Sequence, residues 1–323
     1  MSNSTTTSLS PTFLRIAPTQ ARDPAIELAA GLRQAVASVS PKFLYDELGS
    51  VLFMAIAELP EYYPSRTEAA ILAQHLPEIA AALPPCRPLV DLGAGDCAKA
   101  ARLLLPLRVS RYVAVDISQA HLRQAVQALQ ACHPQLPMVG VDMDFSQQLV
   151  LPKNLLNEPA LVFYPGSSIG NFAPDAALRL LRQVRTLAAG GALLIGVDRL
   201  KPQPLLEAAY DDELGVTAAF NLNLLSHLNR LLGSDFRPRD WRHVALFNRA
   251  ESRIEMHLEA RSATTVCWPG AERRFAAGER IHTENSYKWT AEAFGALLRD
   301  AGFSRVQPWT DAQAWFAVCL ASG

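Results

Sequence analysis

Cysteine is scarce in this chain and never clustered. Cys86, Cys97, Cys132, Cys267 and Cys319 are scattered through 323 residues, and no C-x-x-C pair occurs. That excludes a disulfide framework and a thiolate zinc centre, so no metal is expected, and it fits a reducing, cytoplasmic setting. An excess of one charge is missing too. A net charge of −1 gives no global attraction to nucleic acid or to an anionic membrane. No apolar run reaches the ~20 residues of a membrane span. Internal repeats are absent, and compositional bias is confined to a Ser/Thr/Pro-rich start. That start lacks the apolar core of a signal peptide and reads as a flexible tail over 1–22.

Half of the residues are hydrophobic and 19% are charged, a balance that suits a globular enzyme. A length of 323 residues is natural for a nucleotide-binding domain plus a substrate domain. The expected partner is a small-molecule substrate, with no nucleic acid and no membrane, and the expected state is a monomer.

The densest signal is Leu89-Val90-Asp91-Leu92-Gly93-Ala94-Gly95-Asp96, followed about twenty residues later by Tyr112-Val113-Ala114-Val115-Asp116. The first run reads as a buried strand that breaks into a glycine turn, where backbone can approach a ligand. The second reads as the next parallel strand, and Asp116 at its end suits a ribose hydroxyl pair. Gly93-x-Gly95-x-x-Ala98 also fits a dinucleotide fingerprint, so the turn alone leaves NAD(P) and S-adenosylmethionine both open. Asp91, positioned to face a cationic cofactor, and Asp96, unwelcome beside a pyrophosphate, favour S-adenosylmethionine. Lys99 in the following helix, and Asp144-Phe145 after the third strand, complete a cofactor set at successive strand ends. Taken singly, Lys99 also reads as a solvated helix residue and Asp144 as a loop cap.

The pattern along the chain predicts a helix over 24–40 capped by Asp23, and another over 68–82 capped by Thr67. Strands are expected at 88–93, 111–116, 137–142, 160–164 and 192–197, with helices between them, which means a mostly parallel α/β sheet. A long helical region (204–232) and antiparallel strands near 254–259 and 279–289 follow. A helix over 290–301 leads to two final strands at 303–308 and 314–320, which read as the reversed hairpin of a Rossmann-like methyltransferase sheet. The expected organisation is a tail (1–22), N-terminal helices serving the substrate side (23–66) and a cofactor domain (67–200). An inserted α+β substrate domain (201–288) and a return to the sheet (289–323) complete it.

Three further segments carry chemistry. The loop Gly166-Ser167-Ser168-Ile169-Gly170-Asn171 leaves the fourth strand, and Asn171 offers donor and acceptor together, although it also fits a helix N-cap. Tyr210-Asp211-Asp212 lies in the long helical region. Thr283-Glu284-Asn285-Ser286, if extended, puts Glu284 and Ser286 on one face and Thr283 and Asn285 on the other. A carboxylate beside a hydroxyl can grip a two-nitrogen ring such as imidazole.

From about residue 40 onward the chain resembles the histidine Nα-methyltransferases of ergothioneine biosynthesis. The matching runs are Leu44-Tyr45-Asp46, Leu59-Pro60-Glu61-Tyr62-Tyr63-Pro64-Ser65-Arg66-Thr67-Glu68, the loop 166–171, Tyr210-Asp211-Asp212 with 215–221, Arg253-Ile254-Glu255-Met256, and Thr283-Glu284-Asn285-Ser286. The resemblance implies an S-adenosylmethionine-dependent enzyme that transfers up to three methyl groups to the α-amine of L-histidine, giving hercynine. Methylation of another amino acid, or of a ring nitrogen, is the alternative. It implies that Glu284 and Ser286 hold the imidazole, that Asn171 and Tyr210 hold the substrate carboxylate, and that Met256 walls the ring pocket. Tyr62 would position the substrate, Gly166 would lie beside the reacting amine, and Tyr45 would lie near the cofactor. Gly166, Asn171 and Tyr62 are thus the expected catalytic positions. Asp96-Cys97-Ala98, Ser168 and Asn285 depart from the family pattern.

Overall fold

The computed structural model describes residues 9–16 and 23–323. The strands are β1 (Thr12–Arg15), β2 (Pro88–Leu92), β3 (Arg111–Asp116), β4 (Met138–Asp142), β5 (Leu161–Tyr164), β6 (Ala192–Asp198) and β7 (Trp241–Asn248). They continue with β8 (Arg253–Ala260), β9 (Thr264–Trp268), β10 (Ala271–Phe275), β11 (Arg280–Tyr287), β12 (Arg305–Thr310) and β13 (Phe316–Ser322). The α-helices are α1 (Pro24–Leu32), α2 (Glu47–Ala57), α3 (Tyr63–Ala82), α4 (Ala98–Leu104) and α5 (Gln119–Cys132). After them come α6 (Pro174–Ala188), α7 (Gln203–Ala208), α8 (Val216–Leu232) and α9 (Ala291–Asp300).

Eight strands form the main sheet in the order β1-β4-β3-β2-β5-β6-β13-β12. Every pair from β1 to β6 is parallel, and β13 runs antiparallel to both β6 and β12. This is the expected Rossmann-like methyltransferase sheet with a reversed strand. β2, β5 and β6 are buried along their whole length, which is why they read as apolar runs interrupted only by Asp91 in β2 and Asp198 at the end of β6. Strand order reverses between β2 and β5, so a crevice opens at their carboxyl ends.

The expected tail over 1–22 needs correction where it is described, while 1–8 and 17–22 lie outside the described residues. Thr12–Arg15 adds to the open edge of β4, pairing in parallel with Val139–Asp142. The absent side chain of Gly140 makes room, since a Cβ there would meet the Phe13 ring at 2.7 Å. Arg123 lies over that ring, 4.3 Å from its centroid.

Other boundaries shift for local reasons. Asp23 caps α1 as expected, accepting from Ala25 N–H at 2.9 Å, but the helix ends at Leu32 rather than continuing to 40. Thr67 caps nothing: α3 starts at Tyr63 with Pro64 in its first turn, and the Thr67 hydroxyl donates to Tyr63 C=O. The long helix expected over 204–232 is interrupted at 209–215, where Gly215 takes a left-handed φ of 74°. The interruption makes Tyr210-Asp211-Asp212 a turn rather than a helix face, with Tyr210 and Asp212 buried, and Asp212 accepts from Val216 and Thr217 N–H to start α8.

A second sheet, β11-β8-β7, is antiparallel throughout. With α1, α2, α7 and α8 it encloses a separate core that includes Leu28, Leu44, Phe220, Leu224, Trp241 and Leu258. Tyr62 and Met256 belong to that core, so the chemistry-bearing side chains grow out of its packed wall.

Candidate active site

At the carboxyl end of β2 the chain turns through Gly93 and Gly95, with φ of 71° and 53°. A Cβ at either position would point into open space, with no atom within 4 Å. The turn is tied to the next strand: Gly93 and Ala94 N–H donate to Val115 C=O, and Gly95 N–H donates to Asp116 Oδ2 at 2.9 Å. Asp116 Oδ1 accepts from Ser118 N–H. A carboxylate has about four acceptor sites, so Asp116 keeps capacity for a ligand. Asp144 both caps its own loop, accepting from Ser146, and pairs with Lys42 at 3.1 Å. Phe145 stands edge-on to Tyr164 with centroids 5.8 Å apart. These features fit an adenosine-bearing cofactor laid across the ends of β2, β3 and β4.

One residue of this region departs from expectation. Asp91 does not face the crevice: it is 1% exposed and accepts from Tyr112 O–H at 2.8 Å. Burial pushes its carboxyl up to about 7. Cys97 is buried in a left-handed conformation, and burial pushes its thiol up to about 12, which makes it inert. Lys99 is not a free solvated cation, because its ammonium lies 2.6 Å from Glu68.

The acceptor side is built by β8, β11 and the segments that pack on them. The register opposes Glu284 to Met256 and Ser286 to Ile254, so these four side chains share one face. Thr283 is the extra residue of a bulge and donates to Met256 C=O, rather than standing opposite the ladder with Asn285. Asn285 instead lies over the far face, where its Oδ1 accepts from His282 Nε2–H at 2.8 Å. Gly170 packs on the same strand, where a Cβ would meet Tyr287 O at 3.0 Å and Ser286 Oγ at 3.5 Å. The loop that carries Gly166 and Asn171 is thereby laid against the strand that carries Ser286. Asn171 is not a helix cap; it ends a 3-10 turn, and the N-cap of α6 is Ala173.

Tyr210 O–H donates to Ser286 Oγ at 2.7 Å. The ammonium of Lys288, fully buried, touches both: 2.8 Å to Ser286 Oγ and 3.1 Å to Tyr210 Oη. Its third contact is Asp198 Oδ2 at 2.8 Å. Asp198 also holds Lys201 and accepts from Tyr63 O–H. Burial opposes the charge on Asp198, but Lys288 and Lys201 hold its carboxyl below the usual range. Glu284 has the opposite fate. Its burial dominates the weaker attraction of Lys288 and pushes the carboxyl up to about 7.

Aromatic rings join the two ends of the site. Tyr45 meets Phe53 at 5.6 Å, Phe53 meets Tyr62 at 6.1 Å, and Tyr62 meets Tyr210 at 6.1 Å, all edge-on. Burial holds the Tyr45, Tyr62 and Tyr210 phenols well above their ordinary value, so all three stay neutral. Sequence reasoning missed Phe53, Glu68, Asp198 and Lys288. Glu68 ends a quoted run and Lys288 stands two residues beyond another, and that placement was the only signal available.

The dinucleotide alternative is settled by comparison with known proteins. A profile of histidine-specific, S-adenosylmethionine-dependent methyltransferases matches residues 25–323. The chain is similar to Histidine N-alpha-methyltransferase of Mycolicibacterium smegmatis, 40% identical over 302 residues that cover 91% of this chain and 93% of that protein. It is 38% identical over 306 residues to the protein of the same name from Mycobacterium tuberculosis, covering 92% and 94% of the two chains. Ergothioneine biosynthesis protein 1 of Neurospora crassa is 30% identical over 280 residues, which are 83% of this chain and 31% of that longer protein. The chain belongs to the family of histidine-specific, S-adenosylmethionine-dependent methyltransferases.

Proposed function

We propose that the enzyme methylates the α-amine of L-histidine up to three times, giving hercynine. The observation that carries this reading is a buried carboxylate and hydroxyl, Glu284 and Ser286, side by side on β11 opposite Met256. A buried acid that pairs with a ring N–H penalises any substrate lacking one. Holding both ring nitrogens at this wall turns the α-amine toward Gly166 and the cofactor. In this reading Asn171 and Tyr210 take the carboxylate, and Tyr62 positions the amine. Residues 23–66 and 201–288 then supply the substrate side, while 67–200 and 289–323 supply the cofactor side.

The cofactor supplies an electrophilic methyl group on a sulfonium. The protein's task is to hold a neutral amine in line with it, and positioning of this kind can remove about 7–11 kcal/mol of a barrier. An α-amino pKa near 8, that of a peptide N-terminus, leaves roughly a tenth of the amine neutral at pH 7, a penalty of about one kcal/mol, and the higher pKa of a free amino acid enlarges it. Neutral tyrosines cannot serve as bases at that pH. Water therefore carries the proton away, and the faces of the tyrosine rings stabilise the growing ammonium. Among the described residues no helix is long and apolar enough to cross a membrane. The small net charge of −1 and the scattered cysteines support action on a free amino acid in a reducing compartment.

The test is an incubation with S-adenosylmethionine and an equimolar mixture of the common amino acids, read by mass spectrometry. Methylated histidine alone is the expected product. Methyl groups on another amino acid would overturn the assignment of Glu284 and Ser286.

A further inference from the structure

We propose that Glu68 is a positioning residue: one buried carboxylate anchors both the acceptor-side loop at Gly166 and the cofactor-side Lys99, and so sets the distance between amine and methyl donor. The inference rests on the reading above, in which Gly166 lies beside the amine and Lys99 serves the cofactor.

Glu68 sits in α3 and is 1% exposed. Its two oxygens accept from Gly166 N–H at 2.8 and 3.0 Å, and Oε2 also accepts from Lys99 Nζ at 2.6 Å. The sheet is shaped to admit it. Gly196 lies within the fully buried strand β6, where glycine is unfavourable unless something approaches closely. A Cβ there would lie 1.9 Å from Glu68 Oε1, so the group that approaches is this carboxylate.

The loop it grips is not a passive one. Gly166 and Ser167 are left-handed in succession, with φ of 77° and 58°, and a non-glycine residue rarely adopts that region. The second anchor is Ser167 Oγ, which accepts from Asp198 N–H at 2.8 Å. Lys99 Nζ lies 3.3 Å from the point a Cβ of Gly166 would occupy. Cofactor arm and acceptor loop therefore meet on one acceptor-only group. An amide in its place would set an N–H against a backbone N–H or against an ammonium.

The experiment is Glu68→Gln in the full chain, with calorimetric titration of S-adenosylhomocysteine and steady-state kinetics. The expected result is full binding stoichiometry, a kcat lowered by roughly tenfold or more, and a histidine KM within about twofold of wild type. In a Lys99→Met background the same change should leave the S-adenosylhomocysteine Kd unaltered and still lower kcat, because Gly166 is a separate contact. A kcat within about twofold of wild type overturns the proposal, as does a kcat loss matched by an equal loss of binding sites. If the Gln variant does not fold, Glu68→Asp replaces it. That variant keeps the charge but shortens the reach to Gly166, and the same two outcomes decide. A parallel Glu284→Ala that leaves histidine KM unchanged would sink the site reading itself, independently of Glu68.

Discussion

Replacing Glu284 by Gln should make the protein more stable and less able to bind histidine at the same time. The carboxyl is 7% exposed, and burial moves it from its ordinary 4.5 to about 7. Between those values the folded state holds a proton that the unfolded state has lost, so stability falls as pH rises through the window. A displacement from 4.5 to about 7 corresponds to about 3 kcal/mol of native-state penalty once the group is fully ionised. Glutamine removes the charge and with it that penalty. The gain should be about 3 kcal/mol at pH 8 and under about 1 kcal/mol at pH 5. Binding moves the other way. A hydrogen bond from ring N–H to a carboxylate contributes about 1.5–3 kcal/mol, so histidine affinity should drop by roughly ten- to a hundredfold. The assays are urea unfolding at the two pH values and calorimetric titration with histidine. A stability change of the same size at both pH values, or an unchanged histidine affinity, would refute the reasoning.

Lys288→Met leaves Asp198 with Lys201 and Tyr63, and Tyr210 still donates to Ser286, but the buried Lys288–Asp198 pair is lost. Breaking such a buried pair should cost about 3–5 kcal/mol in urea unfolding, and a neutral result would show the pair to be dispensable. Asp116→Asn keeps the shape of the side chain but removes a charge-assisted acceptor from the ribose position. S-adenosylhomocysteine should bind roughly tenfold more weakly by calorimetry, with histidine affinity in the free enzyme unchanged; equal losses would move Asp116 out of the cofactor set. Tyr62→Phe should lower kcat by a similar factor at every pH, because the phenol is neutral throughout. A loss confined to low pH in the rate profile would reinstate a phenolic base.

The sheet was legible because parallel strands buried on both faces read as plain apolar runs, as in Tyr112–Val115 and Leu161–Tyr164. β1 was hidden by its Ser/Thr/Pro-rich surroundings. Its place depends on the space above Gly140, which only the assembled sheet reveals. β7 was hidden for a different reason: most of its residues are half-buried on both faces, so no alternation marks them. The break at 209–215 follows from Asp212 capping α8, a hydrogen-bonding choice that hydrophobic spacing does not record. Within the site, Glu284 and Ser286 were legible from their spacing once a strand was assumed. Glu68 and Lys288 were not, because a charged residue in a sequence defaults to the surface. Their burial is fixed by partners more than thirty residues away in one case and about ninety in the other, Lys99 and Asp198.

The measurement that bears most directly on the central claim is carbon NMR of the product made from histidine and methyl-labelled cofactor. One resonance from three equivalent methyl groups on the α-nitrogen, with the ring carbons unshifted, is the result expected. Label on a ring nitrogen would contradict the account, because Glu284 and Ser286 would then be presenting the ring to the cofactor rather than holding it away.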